Sequence, residues 1–274
     1  MEEPFEHTYL NTYYYSNIID NILTGDIELI GFISDFFNEN YTYITPFEKF
    51  SVLHQFISYN IFRFLQEDID NYDQKAFRDY ELGGKLPKLY VEQLVEEYDL
   101  GYEFERPESD EIISYSDIEE YHSDLVLTGH LEEICERIAH EVFYLLFNNR
   151  NLLVRFNHIV AQHVSEITIA VLEEDEDLED LAVYLRKDGI LHRVDIPMWC
   201  KNAVFFREKG RCCLCGNDLT KILRPDVTAH YDHMVPLAQG GINDVSNIQL
   251  LCSSCNLSKG KKDIITSNQY YKWY

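Results

Sequence analysis

The sequence predicts an α+β chain, with a mainly α-helical N-terminal domain over residues 1–195 and a small strand–strand–helix unit within 196–274. Three observations lead there. Apolar residues recur at helical spacing through much of the first 199 residues, and two Cys-x-x-Cys pairs, Cys212/Cys215 and Cys252/Cys255, bracket a short segment near the end. Charge also divides along the chain. Of a formal net charge of −25, residues 1–199 carry thirteen Lys/Arg against forty-two Asp/Glu, net −29, whereas residues 200–274 carry ten against six, net +4.

The helical stripes come first. Thr45-Pro46-Phe47-Glu48 combines an N-cap residue, a first-turn proline and a capping-box glutamate, and Phe50, Leu53, Ile57, Ile61 and Phe64 follow at helical spacing. A second helix is expected over 131–147, with Leu131, Ile134, Ile138, Val142 and Leu145 on one face. A third is expected over 152–172 from Leu153, Phe156, Val160, Val164 and Ile167. These faces read as core. His140, His158 and His163 lie on or near them without a carboxylate pattern, so they read as structural. The acidic, tyrosine-rich stretch 92–120 and the run Glu173-Glu174-Asp175-Glu176-Asp177 read as solvated connections or as a surface for a basic protein partner. Gly83-Gly84-Lys85 lacks the spacing of a phosphate loop.

Asp195-Ile196-Pro197 marks the expected boundary. Proline can open a helix there, with Trp199, Ala203, Val204 and Phe206 supplying an apolar face before Gly210 ends it. From Val227 the chain should form a strand, turn through 236–247, return as a strand over Ile248–Leu251 and enter a short helix carrying Asn256. So small a unit has little core of its own, and a metal staple would compensate.

The cysteines supply that staple. Two cysteines separated by two residues can aim both sulfurs at one ion, and a second such pair closes a tetrahedral shell with no position left for water, which makes Cys212, Cys215, Cys252 and Cys255 a structural zinc site. The matching gaps favour Cys212 over Cys213. A disulfide framework is disfavoured, because Cys135 and Cys200 are left over and the acidic start Met1-Glu2-Glu3-Pro4 is no secretory signal. No run of about 18 apolar residues suggests a membrane span. The chain is expected to be soluble and cytoplasmic.

Between the cysteine pairs, Asp232-His233 sets a hard metal ligand beside a titratable base. The order Asp232-His233-Met234-Val235-Pro236, Gly240-Gly241, Asn247-Ile248-Gln249-Leu250-Leu251, Cys252-Ser253-Ser254-Cys255-Asn256 and Lys259-Gly260 resembles the HNH endonucleases, also called ββα-metal or His-Me finger nucleases, of the subgroup with a four-cysteine zinc. The resemblance runs from Arg211 to Gly260.

It implies a zinc-stapled ββα-metal finger in which His233 is the general base toward water, a task suited to imidazole with its unperturbed pKa of ~6.5. It implies that Asp232 and Asn256 hold one Mg2+ or Mn2+, and that Asn247 orients His233 through neighbouring backbone. Many relatives carry a histidine where this chain has Asn256, which bears on metal preference. His230 shares a strand face with Asp232 and is a further candidate for metal or phosphate contact. Lys259, Lys261 and Lys262 follow the metal helix where a DNA phosphate should pass. The activity implied is metal-dependent hydrolysis of DNA phosphodiester bonds to a 5′ phosphate, and by architecture alone it suits restriction or antiphage defence. The alternatives are a catalytically inactive zinc-ribbon nucleic-acid-binding adaptor and an RNA-cutting member. One metal centre cuts one strand at a time, so double-strand breaks would call for two encounters or a homodimer.

Overall fold

The computed structural model describes residues 6–25, 30–39, 41–82, 85–104, 113–222, 226–260, 264–267 and 269. The chain is α+β, as its patterning predicts: a mostly helical N-terminal region is followed by two small sheets and the cysteine-bearing segment. It forms two compact units, one of residues 1–17 and 54–142 and one of residues 18–53 and 143–274. The helices in chain order are α1 (Glu6–Thr24), α2 (Ile30–Glu39), α3 (Val52–Glu81), α4 (Tyr90–Glu97), α5 (Tyr115–Leu127), α6 (His130–Leu146), α7 (Arg150–Glu166), α8 (Ile169–Glu173), α9 (Met198–Arg207) and α10 (Ser253–Lys259). The strands are β1 (Leu185–Lys187), β2 (Ile190–Leu191), β3 (Ala229–His233) and β4 (Ile248–Cys252). No helix among the described residues is long and apolar enough to cross a membrane.

The first unit is a helical assembly. Ile57, Ile61, Leu65 and Ile69 of α3, Leu94 of α4, Ile118 and Leu125 of α5, and Ile134 and Ile138 of α6 are buried, at the i, i+4 and i+7 spacing that gives each helix one apolar face. Asp73, also buried, accepts a hydrogen bond from the Tyr90 backbone N–H at 2.6 Å and lies 3.0 Å from Nε2 of His122.

Two expectations about helix ends are corrected. Thr45-Pro46-Phe47-Glu48 is a turn in which Phe47 has φ of 53° and its N–H donates to the Asn243 carbonyl at 2.7 Å. Helix α3 begins later, at Val52, whose N–H donates to Asp244 Oδ2 at 3.0 Å; a carboxylate distant in sequence supplies the acceptor that the local pattern assigned to Thr45. The expected 152–172 helix is likewise two helices. Thr168 accepts from Val171 N–H and Asp188 accepts from Ile169 N–H, so a new set of caps opens α8 and leaves Ile167 extended. The expected 131–147 helix matches α6 in extent, with Leu131, Ile134, Ile138 and Val142 buried, but Leu145 is 40% exposed and leaves the expected core face.

Helix α7 is the spine of the second unit. Leu152, Leu153, Phe156, Asn157, Val160, Ala161 and Val164 are all buried. The β1–β2 hairpin follows α8. Its Asp188-Gly189 turn places Gly189 at φ of 67°, and a Cβ there would stand 2.8 Å from the Ser165 carbonyl, so the turn needs glycine on both counts. Helix α9 opens after Pro197 but buries Cys200, Val204 and Arg207, one residue round from the expected face; Phe206 is 76% exposed. The guanidinium of Arg207 stacks over Phe147, 4.6 Å from the ring centre, and pairs with Glu208 at 2.8 Å. A charged side chain thus holds the inward position that an apolar-periodicity argument reserves for phenylalanine.

Candidate active site and metal centre

Strands β3 and β4 pair antiparallel with Ala229 opposite Cys252, Asp232 opposite Gln249 and His233 opposite Ile248. This register carries β4 directly into α10, where Cys252 is the N-cap and Cys255 the third helical residue, two positions whose side chains share one side of the first turn. The other pair sits on a tight turn closed by Gly216 N–H to Cys212 O at 2.8 Å, and Cys213 N–H to Leu250 O at 2.9 Å joins that turn to β4. All four sulfurs lie within 4.8 Å of one another, and Cys215 and Cys252 are 3.7 Å apart. Tetrahedral zinc with bonds of about 2.3 Å sets neighbouring sulfurs about 3.8 Å apart, so the donor set fits that ion. Burial raises the thiols of Cys215 and Cys255, whereas hydrogen bonds outweigh burial at Cys252 and bring it down to about 6. Four sulfurs so close cannot all ionise without a cation between them. Cys213 stands apart, its thiol directed at Gln249 Oε1 at 3.2 Å.

The loop from Met234 to Asn247 returns the chain between the strands, and Asn247 ties its ends. Its side-chain oxygen accepts from Val235 N–H at 2.9 Å, and its amide nitrogen donates to the Val235 and Ile242 carbonyls at 3.0 and 2.9 Å. Its own carbonyl accepts from Met234 N–H at 2.6 Å. Gly240 and Gly241 serve the same loop. A Cβ on Gly240 would come within 2.5 Å of the Ala161 carbonyl on α7, and one on Gly241 within 2.0 Å of the Val235 carbonyl. Asn157 of α7 donates to Ser246 Oγ at 3.2 Å from below.

His233, 5% exposed, ends β3. Its Nε2 lies 3.2 Å from Asn243 Oδ1, while Asn243 Nδ2 donates to the His192 carbonyl at 2.8 Å. Turning the Asn243 amide over would set its oxygen against that carbonyl, so Oδ1 must face the imidazole, and Nε2 must carry the proton. The neutral tautomer with its lone pair on Nδ1 follows. Burial is the largest influence on this ring and pushes its pKa down to about 4, with the Arg193 and Lys259 charges acting the same way and the Asn243 bond and Asp232 opposing. Neutral pH therefore leaves the imidazole uncharged.

Asp232 is one residue away. Lys259, 3% exposed, reaches back from α10 to pair with Asp232 Oδ2 at 2.8 Å and to donate to the His233 carbonyl at 2.7 Å. Its ammonium is turned inward, away from the passing phosphate expected at its position after the metal helix. Lys261 and Lys262 lie outside the described residues. Gln249 Nε2 also reaches Asp232 Oδ2, at 3.4 Å. Among the described residues, Asp232 Oδ1 and the Asn256 amide take no hydrogen bond, and both side chains are partly exposed. A carboxylate and an amide oxygen are hard donors, the type that magnesium and manganese favour. His230 Nε2 lies 3.0 Å from Ser253 Oγ, a contact that joins β3 to α10.

A groove of about 550 Å³ opens over Asp232, His233, Pro236 and Gly260. Its lining also takes in a part of the chain that lies outside the cysteine-bracketed motif: Arg186, Lys187, Ile190, Leu191 and Arg193 of the β1–β2 hairpin and the residues just after it. Neither Asn243 nor the hairpin was expected at the site. The hairpin had a legible signal in Asp188-Gly189 flanked by Leu185, Ile190 and Leu191, whereas nothing in the sequence distinguishes Asn243 from any other loop asparagine.

Residues 212–262 match the family model of HNH endonuclease. With the four clustered cysteines, the match makes this segment similar to HNH regions of the zinc-carrying kind, a family of nucleases. Neither the curated proteins nor the solved structures gave a match to the chain.

Proposed function

We propose that this chain is a metal-dependent endonuclease that hydrolyses DNA phosphodiester bonds. The observation that carries the reading is a buried, neutral His233 whose Nε2–H is taken by Asn243, at the edge of a groove beside Asp232. Nδ1 would accept a proton from water as the water oxygen attacks phosphorus, giving a 5′ phosphate and a 3′ hydroxyl. A divalent cation held by Asp232 and Asn256 would polarise the phosphate and neutralise charge on the departing 3′ oxygen. Asn247 keeps the loop after His233 in place, and Lys259 fixes Asp232 and the His233 carbonyl from behind. Asn157 and Ser246 hold that loop on α7. His233→Ala should lower cleavage by about 10²–10⁴-fold. Zinc content and unfolding temperature should stay at the wild-type values, and wild-type cleavage by this variant would remove His233 from the base role.

One observation favours a second reading, a catalytically inactive zinc-stapled adaptor: the Asp232 charge is already met by a buried ammonium. Supercoiled DNA and RNA digested in parallel with added magnesium or manganese separate the readings. DNA cleavage supports the first, RNA-only cleavage moves the substrate to RNA, and zinc-loaded protein that cuts neither supports the adaptor.

A further inference from the structure

The residues from Leu185 to Arg193 read Leu-Arg-Lys-Asp-Gly-Ile-Leu-His-Arg, three cations and one carboxylate in a region whose average is strongly acidic. Leu185 and Leu191, opposite one another in the hairpin, are buried, which leaves Arg186 and Lys187 exposed; Arg193 is exposed after β2. The lone carboxylate is spent on structure, since Asp188 Oδ1 accepts from Ile169 N–H at 2.9 Å. Gly189 N–H donates to the Ile167 carbonyl at 2.9 Å, and the His192 carbonyl is held by Asn243. The hairpin is thus fixed to the start of α8 at its turn and to the His233 loop at its exit. Among the described residues, no hydrogen bond or ion pair engages the side chains of Arg186, Lys187 or Arg193.

Three cations that no described residue pairs line one groove with Asp232 and His233, an arrangement suited to an anion brought by the substrate. A surface lysine or arginine with no such task is ordinarily scattered. Here the three share a groove about 550 Å³ in volume with the side chains assigned to chemistry. The two guanidinium groups can fork onto phosphate oxygens, and the lysine adds a point charge.

We propose that Arg186, Lys187 and Arg193 grip the sugar-phosphate backbone of the DNA strand whose scissile phosphate is presented to His233. This rests on the nuclease reading and extends it by assigning the substrate-binding wall to a hairpin outside the matched segment. The grip is on phosphate and carries no base preference.

The test uses the full-length, zinc-loaded chain with His233→Ala to prevent turnover, and titrates a fluorescein-labelled DNA duplex at several salt concentrations. Arg186→Gln, Lys187→Gln and Arg193→Gln together should weaken binding at least about tenfold and flatten the dependence of log affinity on log salt by about 2–3, near 0.9 for each phosphate that the protein ceases to neutralise. Lys49→Gln, Lys75→Gln and Lys85→Gln together remove the same charge from exposed positions outside the groove and should change the slope by less than about 1. An equal loss in this control would overturn the proposal, as would unchanged affinity and slope in the hairpin variant at normal zinc content. Hairpin-dependent binding by a wild-type protein that cuts no nucleic acid would sustain the grip and sink the nuclease reading. Absence of both binding and cleavage would sink the two together.

Discussion

Asn243 shows how one amide can decide what an imidazole does. Its nitrogen is committed to the His192 carbonyl, so its oxygen can only accept, and His233 is left with a lone pair on Nδ1. Asn243→Ala should therefore lower kcat by at least about tenfold with little change in KM, because the base loses its orientation while the groove keeps its walls. Equal loss in kcat and KM would instead indicate a collapsed groove. A different buried histidine reports on stability. His54, 5% exposed and in edge-to-face contact with His140, is pushed down to about 3, first by burial and then by the neighbouring ring. Its folded pKa lies below the unfolded ~6.5, so between those values the unfolded chain binds a proton that the folded chain refuses, and stability falls as pH falls, by up to about 1.4 kcal/mol per pH unit. Urea unfolding of His54→Gln between pH 4.5 and 6.5 should show a slope flatter by close to one proton; a slope identical to wild type would mean that His54 titrates normally. The places of Asp232, His233, Asn247 and the cysteines on the strands, loop and helix were legible because motif order and gaps mark them. Asn243 and the inward turn of Lys259 were not, since both depend on which side chains meet after the loop and α10 have folded.

At the scale of elements, local pattern located the finger well and its supports poorly. The β3–loop–β4–α10 order follows from strand-like runs between cysteine pairs, and Gly240-Gly241 marks the place where backbone must approach backbone. Gly241→Ala should accordingly displace the loop that Asn247 ties down and remove cleavage while leaving zinc bound. Full activity would contradict the 2.0 Å approach to Val235 O. Loss of the metal should act differently. Cys212→Ser removes one thiolate, and with it folding free energy that a two-strand sheet and a seven-residue helix cannot replace, so residues 212–260 should become protease-sensitive and zinc stoichiometry should fall below about half an ion per chain. Protease resistance equal to wild type in a zinc-free protein would show that packing alone holds the finger. Helix α3 illustrates the opposite case: its true cap, Asp244, is 192 residues from Val52 in sequence, beyond the reach of any capping-box pattern.

At the scale of the molecule, the charge balance of residues 1–199 suggests a uniformly acidic partner for a basic C-terminal end, yet the average conceals the hairpin cations that line the groove. The second unit raises a related question about where an independent domain begins. Arg150 at the start of α7 is 1% exposed, pairs with Glu208 at 2.9 Å and donates to the Cys213 carbonyl at 3.3 Å, beside the zinc knuckle. Asn157 and the Ala161 carbonyl, further along α7, support the Ser246 and Gly240 ends of the loop. A buried charge stripped of its partner is costly, so Glu208→Ala should destabilise this unit by about 3–5 kcal/mol. A stability loss below about 1 kcal/mol would mean that water or another group replaces the carboxylate. The same geometry bears on a cut at Asp195. A fragment of residues 196–274 keeps all four zinc cysteines but leaves Glu208 without Arg150, and exposes the loop face that α7 covers. It should bind zinc yet unfold without a cooperative transition, because the metal closes the knuckle and not the β3–β4 loop. A sharp calorimetric transition in that zinc-loaded fragment would show that the finger folds without α7 and that the chain does divide at Asp195.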